Sequence, residues 1–497
     1  MGNLYQLLQS RFDAERPFTY DAKHQLIASY GDLDDASAQY ANLFLSLGLV
    51  AGDRVAVQIE KSTENLFLYF GCLRAGVVFL PLNTAYQKDE IAYFLNDAEP
   101  KICIVEPDKL ATYQQLTETL VFTLDRHGEG TAPDNRSTMS KQHSIATTDP
   151  EDTAVIVYTS GTTGAPKGAM ITHGNLIDNG SVLQTAWEFQ RSDTMLHSLP
   201  IFHVHGLFLG INLPVLSGCP IILLEKFDAD LVLKLLPTAT VFMGVPTYYT
   251  RLLEADINQM HCQSIRLFTS GSAPLLSQTF NLFSERTKHT IVERYGMTET
   301  GMNTSNPLHG PAKAGTVGPP LPGTQCQILD DHGDPAATDE TGQLLVRGKN
   351  VFKGYWRKPA KTQEDFTDTG FFKTGDLASI DEDGYITIVG RSKDLIITGG
   401  LNVYPKEIEL KIDKLPGVIE SAVIGTPDKD FGEAVTAIII AEPTANLSEQ
   451  MIIEQLKGSI ANFKVPKAVH FLEQLPRNTM GKVQKNVLRE TFMKELS

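Results

Sequence analysis

The chain has 497 residues, with 43 Lys+Arg against 59 Asp+Glu and a formal net charge of −16. At about 150 residues per domain that length holds about three domain-sized units, and 42% hydrophobic content can fill their cores, which excludes a disordered or fibrous chain. The acidic balance argues against nucleic acid or an anionic membrane as the main partner, and five scattered cysteines without a Cys-x-x-Cys pair indicate neither a disulfide framework nor a thiolate zinc site.

Met1-Gly-Asn-Leu-Tyr5 lacks a basic segment followed by an apolar run, so no signal peptide is read and a reducing cytoplasm is expected. Further on, Ala154-Val-Ile-Val-Tyr158 reads as a buried strand running into Thr159-Ser-Gly-Thr-Thr-Gly-Ala-Pro-Lys-Gly168. Glycines there let the backbone approach an anion, while Thr159, Ser160, Thr162, Thr163 and Lys167 supply donors. A bare Gly/Ser/Thr loop is more often solvated surface. Its place after a buried strand, with a lysine at its end, favours phosphate. A Walker A pattern occurs nowhere in the chain.

Residues Thr194 to Leu224 contain no Asp, Glu, Lys or Arg, but Pro200, His203, His205, Pro214 and Pro220 divide them, so buried strands and loops are expected rather than a membrane span. His197, His203 and His205 have no third ligand in register and no His-Glu-x-x-His motif, so they are not read as a zinc site. Leu231 to Leu236 and Pro274 to Phe283 read as helices. Two strands, Ile265 to Phe268 and Thr290 to Arg294, run into Thr269-Ser-Gly-Ser-Ala-Pro274 and Tyr295-Gly-Met-Thr-Glu-Thr300. Apolar strands alternating with helices imply parallel sheets covered on both faces, with ligands beyond the strands' carboxyl ends.

From about residue 310 the chain turns Gly- and Pro-rich and reads as a small antiparallel barrel or sheet, ending in strand Tyr385 to Val389. After Gly390-Arg-Ser-Lys-Asp394 comes an α+β module: helix Pro405 to Leu415, strands Ser421 to Ile424 and Ala434 to Ala441, helix Ser448 to Ala461, strand Ala468 to Leu472 and a last helix. The fold expected is thus α/β: a large N-terminal domain over 1–390, of doubly wound sheets plus a small β-barrel at about 310–390, and an α+β C-terminal domain over 391–497.

The loop Thr159 to Gly168 also resembles the signature of the adenylate-forming superfamily of acyl-CoA synthetases, adenylation domains and luciferases. Gly271-Ser-Ala-Pro274, Tyr295-Gly-Met-Thr-Glu299, Thr374-Gly-Asp376, Gly390-Arg-Ser-Lys-Asp394 and Pro476-Arg-Asn-Thr-Met-Gly-Lys482 follow in that family's order. The resemblance covers essentially the full length. It implies that Thr159, Ser160, Gly161, Thr162, Thr163, Gly164 and Lys167 bind ATP phosphates, and that Gly271, Ser272, Ala273, Pro274 and Tyr295 border the adenine. It further implies that Thr298 reaches the phosphate, Glu299 ligates Mg²⁺, and Asp376 and Arg391 hold the ribose. These placements agree with physical expectation, since a carboxylate beside a triphosphate is tolerable mainly as a metal ligand. Taken alone, Asp376 could be a turn residue, and Lys482 reads as a solvated surface charge. The family places its catalytic lysine at Lys482, a hinge at Lys393 and the CoA channel at Gly399 and Gly400, on a C-terminal domain that is mobile. It also places an aromatic gate at His203.

Arg251, in Val245-Pro-Thr-Tyr-Tyr-Thr-Arg251, and Arg294 stand in segments that should line the acid pocket. An arginine in a fatty-acid tunnel would be an unpaired buried charge, whereas two suit a second carboxylate. On the residues alone, structural roles for both stay equally open. Local wording around Pro200 to Gly206, Glu293 to Asn306, Asn402 to Glu409 and Pro476 to Lys482 resembles the malonyl-CoA synthetase subgroup. There, the counterparts of Arg251 and Arg294 hold the distal carboxylate, and those of Val204 and Met302 sit where a 2-methyl group would project. The expectation is an AMP-forming malonate–CoA ligase, a monomer or homodimer using ATP, Mg²⁺ and CoA, with methylmalonate as a further substrate. Its rivals are a ligase for another short- or medium-chain acid, transfer to a carrier protein's pantetheine, and a catalytically silent scaffold.

Overall fold

The structure is a computed structural model that describes residues 2–159, 166–399, 401–457 and 459–495. The chain divides into two compact units, Met1–Gly271 with Leu275–Gln325 and Val346–Phe372, and Ser272–Pro274 with Cys326–Leu345 and Lys373–Ser497.

The first unit holds two large sheets. A seven-stranded sheet runs in the order Gly354–Tyr355, Lys167–Thr172, Thr153–Thr159, Val78–Pro81, Arg54–Gln58, Ile102–Val105, Leu120–Thr123. Its last five strands are parallel, and Lys167–Thr172 turns back antiparallel to Thr153–Thr159. The central strands are apolar without alternation, as burial on both faces requires: Ile102–Val105 is buried at every position. An eight-stranded sheet runs Gly301–Ser305, Ile291–Met297, Leu267–Ser270, Val241–Gly244, Met195–His197, Ile221–Leu223, Pro17–Tyr20, Leu26–Ser29. Strands from Ile291–Met297 to Pro17–Tyr20 pair in parallel, and each edge is closed by an antiparallel partner. Helices Pro246–Glu254 and Ser277–Thr287 cover this sheet through Tyr249, Leu252, Phe280 and Phe283, packed on Phe242 and Phe268.

The second unit carries an open sheet in the order Gln325–Leu329, Gly342–Arg347, Phe372–Ile380, Ile386–Arg391. This corrects the expected barrel. Among the described residues no pairing joins the outer two strands, so the sheet stays open. A five-stranded sheet follows, built on the long hairpin Val418–Asp428 and Gly432–Ala441, with Ala468–Phe471 parallel to the latter. Helices Pro405–Ile412 and Glu449–Lys457 bury Ile408, Ile412, Ile452 and Leu456 against it.

Three further expectations shift. Residues 194–224 are not only strands and loops: they contain a π-helix, His205–Asn212, and an α-helix, Leu213–Ser217. An all-apolar buried stretch has no periodicity to separate strand from helix. Strand Ile291–Met297 extends through Tyr295-Gly-Met, held by antiparallel pairing to Gly301–Ser305. Helix Ser277–Thr287 starts after Pro274 and Leu275, not at Pro274. No helix among the described residues is long and apolar enough to cross a membrane.

Candidate active site

In the first unit, two strand ends and one turn bring the phosphate-binding candidates together. Thr159 ends its strand opposite Lys167 in the antiparallel pair, so both flank the intervening loop. Ser160, Gly161, Thr162, Thr163 and Gly164 lie outside the described residues. Glu299, 6% exposed, sits in the tight turn after Met297, where the Thr300 N–H donates to the Met297 carbonyl at 3.2 Å. Its Oε1 accepts from Thr159 Oγ1 at 3.3 Å and from the Tyr355 hydroxyl at 3.2 Å. A buried carboxylate surrounded by hydroxyl oxygens is a hard, all-oxygen donor set of the kind Mg²⁺ takes. Lys167 Nζ lies 4.2 Å from the centre of the Tyr355 ring and 3.8 Å from Asp365. Tyr355 was not legible in the sequence: Gly354-Tyr-Trp356 carries no motif. Thr298 is half-buried beside Glu299.

Among the acid-pocket candidates, His203 lies within reach of the charge on Arg294. The Arg294 side chain is 3% exposed, and its Nε and Nη2 bond to no other described residue. Burial lowers its pKa to about 9, so the guanidinium still carries its charge at neutral pH. Arg294 lies under Gly271, where an added Cβ would collide with the guanidinium. That closeness gives Gly271 a packing reason independent of any nucleotide. His203 and His205 are held neutral by burial and by the Arg294 charge, which brings His203 to about 4. Val204 and Met302 are buried nearby in sequence, and Asn179 clamps the Met302 backbone, accepting from its N–H at 3.0 Å and donating to its carbonyl at 2.9 Å. Arg251 is placed differently. It is exposed on Pro246–Glu254, while Tyr249, Leu252 and Leu253 of that helix are buried. Its charge acts on Tyr248, whose ring stacks on Phe227.

Tyr295 is half-buried, its hydroxyl 3.9 Å from the Met297 sulfur. Of the adenine candidates in the second unit, Ser272 adopts a left-handed φ of 71°, and Ala273 and Pro274 follow as partly buried and exposed residues.

The second unit gathers the remaining candidates. Asp376 and Arg391 face each other in register on neighbouring strands and pair at 2.7 Å, with Asp376 3% exposed. Lys482 is presented by a tight hairpin: Asn478 Oδ1 accepts from the Met480 and Lys482 N–H groups at 3.0 and 2.9 Å, and Gly481 takes φ 73°. Although the residue as a whole is exposed, packing around its ammonium lowers the pKa to about 8. Arg391 and Lys393 push the same way, and Asp376 and Asp394 oppose them. Five charged groups from three segments therefore meet at this point. Asp394 in turn pairs with Arg489 of the last helix at 2.7 Å. Gly399 takes φ 57°, with its N–H on the Phe431 carbonyl at 2.8 Å, and Gly400 lies outside the described residues.

The pattern of the AMP-binding enzymes matches residues 9–356, and that of their C-terminal domain matches residues 407–482. A malonate–CoA ligase of Arabidopsis thaliana is 34% identical over 516 residues, covering 93% of this chain and 84% of the relative. A long-chain-fatty-acid–CoA ligase of Bacillus subtilis is also 34% identical, over 484 residues, covering 89% and 86%. Among solved structures, ATP-bound MatB from Rhodopseudomonas palustris is 47% identical with full coverage of both chains and a TM-score of 0.97. The chain belongs to the AMP-binding enzyme family, as an AMP-forming acid–thiol ligase.

Proposed function

We propose that the chain joins malonate to CoA at the expense of ATP, through malonyl-AMP and release of pyrophosphate. Identity to these two curated relatives does not choose the acid, since a malonate ligase and a long-chain-fatty-acid ligase stand at the same 34%. Buried Arg294 carries the choice. A guanidinium with two nitrogens unpartnered among the described residues costs several kcal/mol in an alkyl tunnel, and a ligand carboxylate removes that cost with charge-assisted bonds. The neutral histidines beside it leave the pocket's positive charge on the arginine. Methylmalonate fits the same grip, with Val204 and Met302 meeting its methyl group.

The residues take the roles their chemistry allows. Thr159, Lys167 and the loop between them hold the ATP phosphates, and Thr298 reaches the phosphate. Gly271 to Pro274 and Tyr295 border the adenine, and Asp376 with Arg391 holds the ribose. Glu299 with the Thr159 hydroxyl holds Mg²⁺, which when bound offsets phosphate charge. Lys482 offsets the charge that develops as the carboxylate attacks and pyrophosphate departs. Lys393 serves as the hinge between adenylation and thioester formation, and Gly399 with Gly400 lines the pantetheine path. The five cysteines are free thiols, which supports a reducing, cytoplasmic setting.

The test is a panel of acetate, propionate, octanoate, malonate, methylmalonate and succinate with ATP and CoA, read by mass spectrometry of the thioester. Malonyl-CoA as the dominant product is expected. Octanoyl-CoA dominance would overturn the reading.

A further inference from the structure

Lys61 brings an amine into the interior, where burial lowers its pKa to about 7, yet no motif marks it. It is 6% exposed and has no ion-pair partner among the described residues. Its Nζ donates to the Leu199 carbonyl at 2.8 Å and lies 3.4 Å from His197 Nδ1. The other ring nitrogen, Nε2, is 2.9 Å from the Gly206 carbonyl. These distances fix the tautomer: Nε2 carries the hydrogen toward Gly206, and Nδ1 accepts from Lys61. Burial above all, and Lys61 when protonated, hold His197 neutral, as this arrangement needs.

Lys61 and His197 therefore grip both ends of one loop. At its start is Leu199; at its end is Gly206; His203 and Val204 lie between. The loop is folded tightly back on itself. A Cβ at Gly206 would strike the Pro200 carbonyl, and one at Gly210 would strike the His197 ring. A π-helix begins at His205, a backbone form concentrated at functional sites.

We propose that Lys61 and His197 are positioning residues that set the Leu199–Gly206 loop and through it the acid pocket. This rests on the placement of His203 and Val204 against the acid. Neither residue touches the reacting atoms. The alternative is a purely structural role, which would weaken the whole enzyme rather than acid recognition.

The experiment measures kcat and KM for the acid and for ATP in wild type, Lys61→Met, Lys61→Arg and His197→Phe, with thermal melts to certify folding. Lys61→Met leaves a buried carbonyl without its donor, and about a tenfold to hundredfold rise in KM for the acid is expected. KM for ATP should stay within about twofold. Lys61→Arg should recover most of the loss, because a guanidinium also donates to the carbonyl. His197→Phe keeps a ring against Gly210 but removes both polar links, and should reproduce the Lys61→Met pattern. Parallel changes in both KM values, or no change in either, overturn the proposal. If Lys61→Met does not fold, His197→Phe decides by the same criteria. The wild-type panel separates the two readings: should another acid be the substrate, malonate fails, and the positioning claim is scored on that acid.

Discussion

Two arginines on strands, Arg294 in the first unit and Arg391 in the second, meet burial in opposite ways. Arg391 is met across the sheet by Asp376 at 2.7 Å, so its charge is already balanced within the protein. Arg294 has neutral histidines and a tyrosine around it instead, with two nitrogens unmatched among the described residues. A balanced pair holds a shape in place; an unbalanced cation at a buried site waits for an anion from outside. The contrast separates two kinds of basic residue that a sequence pattern treats alike.

The sharpest break of that contrast is at the cationic cluster. Lys482→Ala should lower adenylation by about 10³–10⁵-fold, the scale on which a cation at a transferring phosphoryl group acts. Thioester formation from supplied malonyl-AMP should survive, and equal loss of both half-reactions would remove Lys482 from its assigned step.

Arg294→Ala comes next. Leaving the distal carboxylate desolvated and unpaired costs about 2–5 kcal/mol, roughly a thirtyfold to several-thousandfold loss in kcat/KM for malonate. Butyrate should lose far less, and a parallel fall of both acids would make Arg294 structural.

A smaller effect is expected from pH. With the Lys482 pKa lowered to about 8, its ammonium form is complete at pH 6 and is lost as pH rises through 8. The adenylation rate at pH 9 should therefore be roughly a tenth of its plateau, from the remaining protonated fraction. Lys482→Arg should abolish this alkaline fall at a lower plateau rate, and a fall unchanged in that variant assigns it to another group.

Arg251→Ala should matter least. An exposed cation is worth about 0–1 kcal/mol, no more than about fivefold in kcat/KM for malonate. A loss as large as that of Arg294→Ala would show that Arg251 turns inward when acid binds.

Much of this was legible in the residues, for physical reasons. Buried parallel strands such as Thr153–Thr159 announce themselves as apolar runs closed by glycines and hydroxyls, and the helix Pro405–Ile412 by its opening proline and apolar spacing. The two candidate arginines were not separable, because a lone Arg on a helix has no neighbour in sequence that reveals which way it faces. Nor was Lys61 legible, since its partners Leu199 and His197 lie more than a hundred positions away. The open sheet in place of a barrel escaped for a related reason. Turn-dense β sequence reports strands, but closure depends on which edges pair.

The glycine packed against Arg294 ties two otherwise separate properties together. Position 271 belongs to a run that the sequence pattern assigns to the nucleotide, yet its missing side chain leaves the space that the guanidinium fills. Any residue larger than glycine there lifts the arginine out of place, whatever it does for adenine. Changes at 271 and 294 are therefore thermodynamically coupled, and a double-mutant cycle between them should be strongly non-additive for malonate. For anyone redirecting the enzyme to an apolar acid, shortening Arg294 first opens position 271 to substitution, while the reverse order passes through a variant that serves neither substrate.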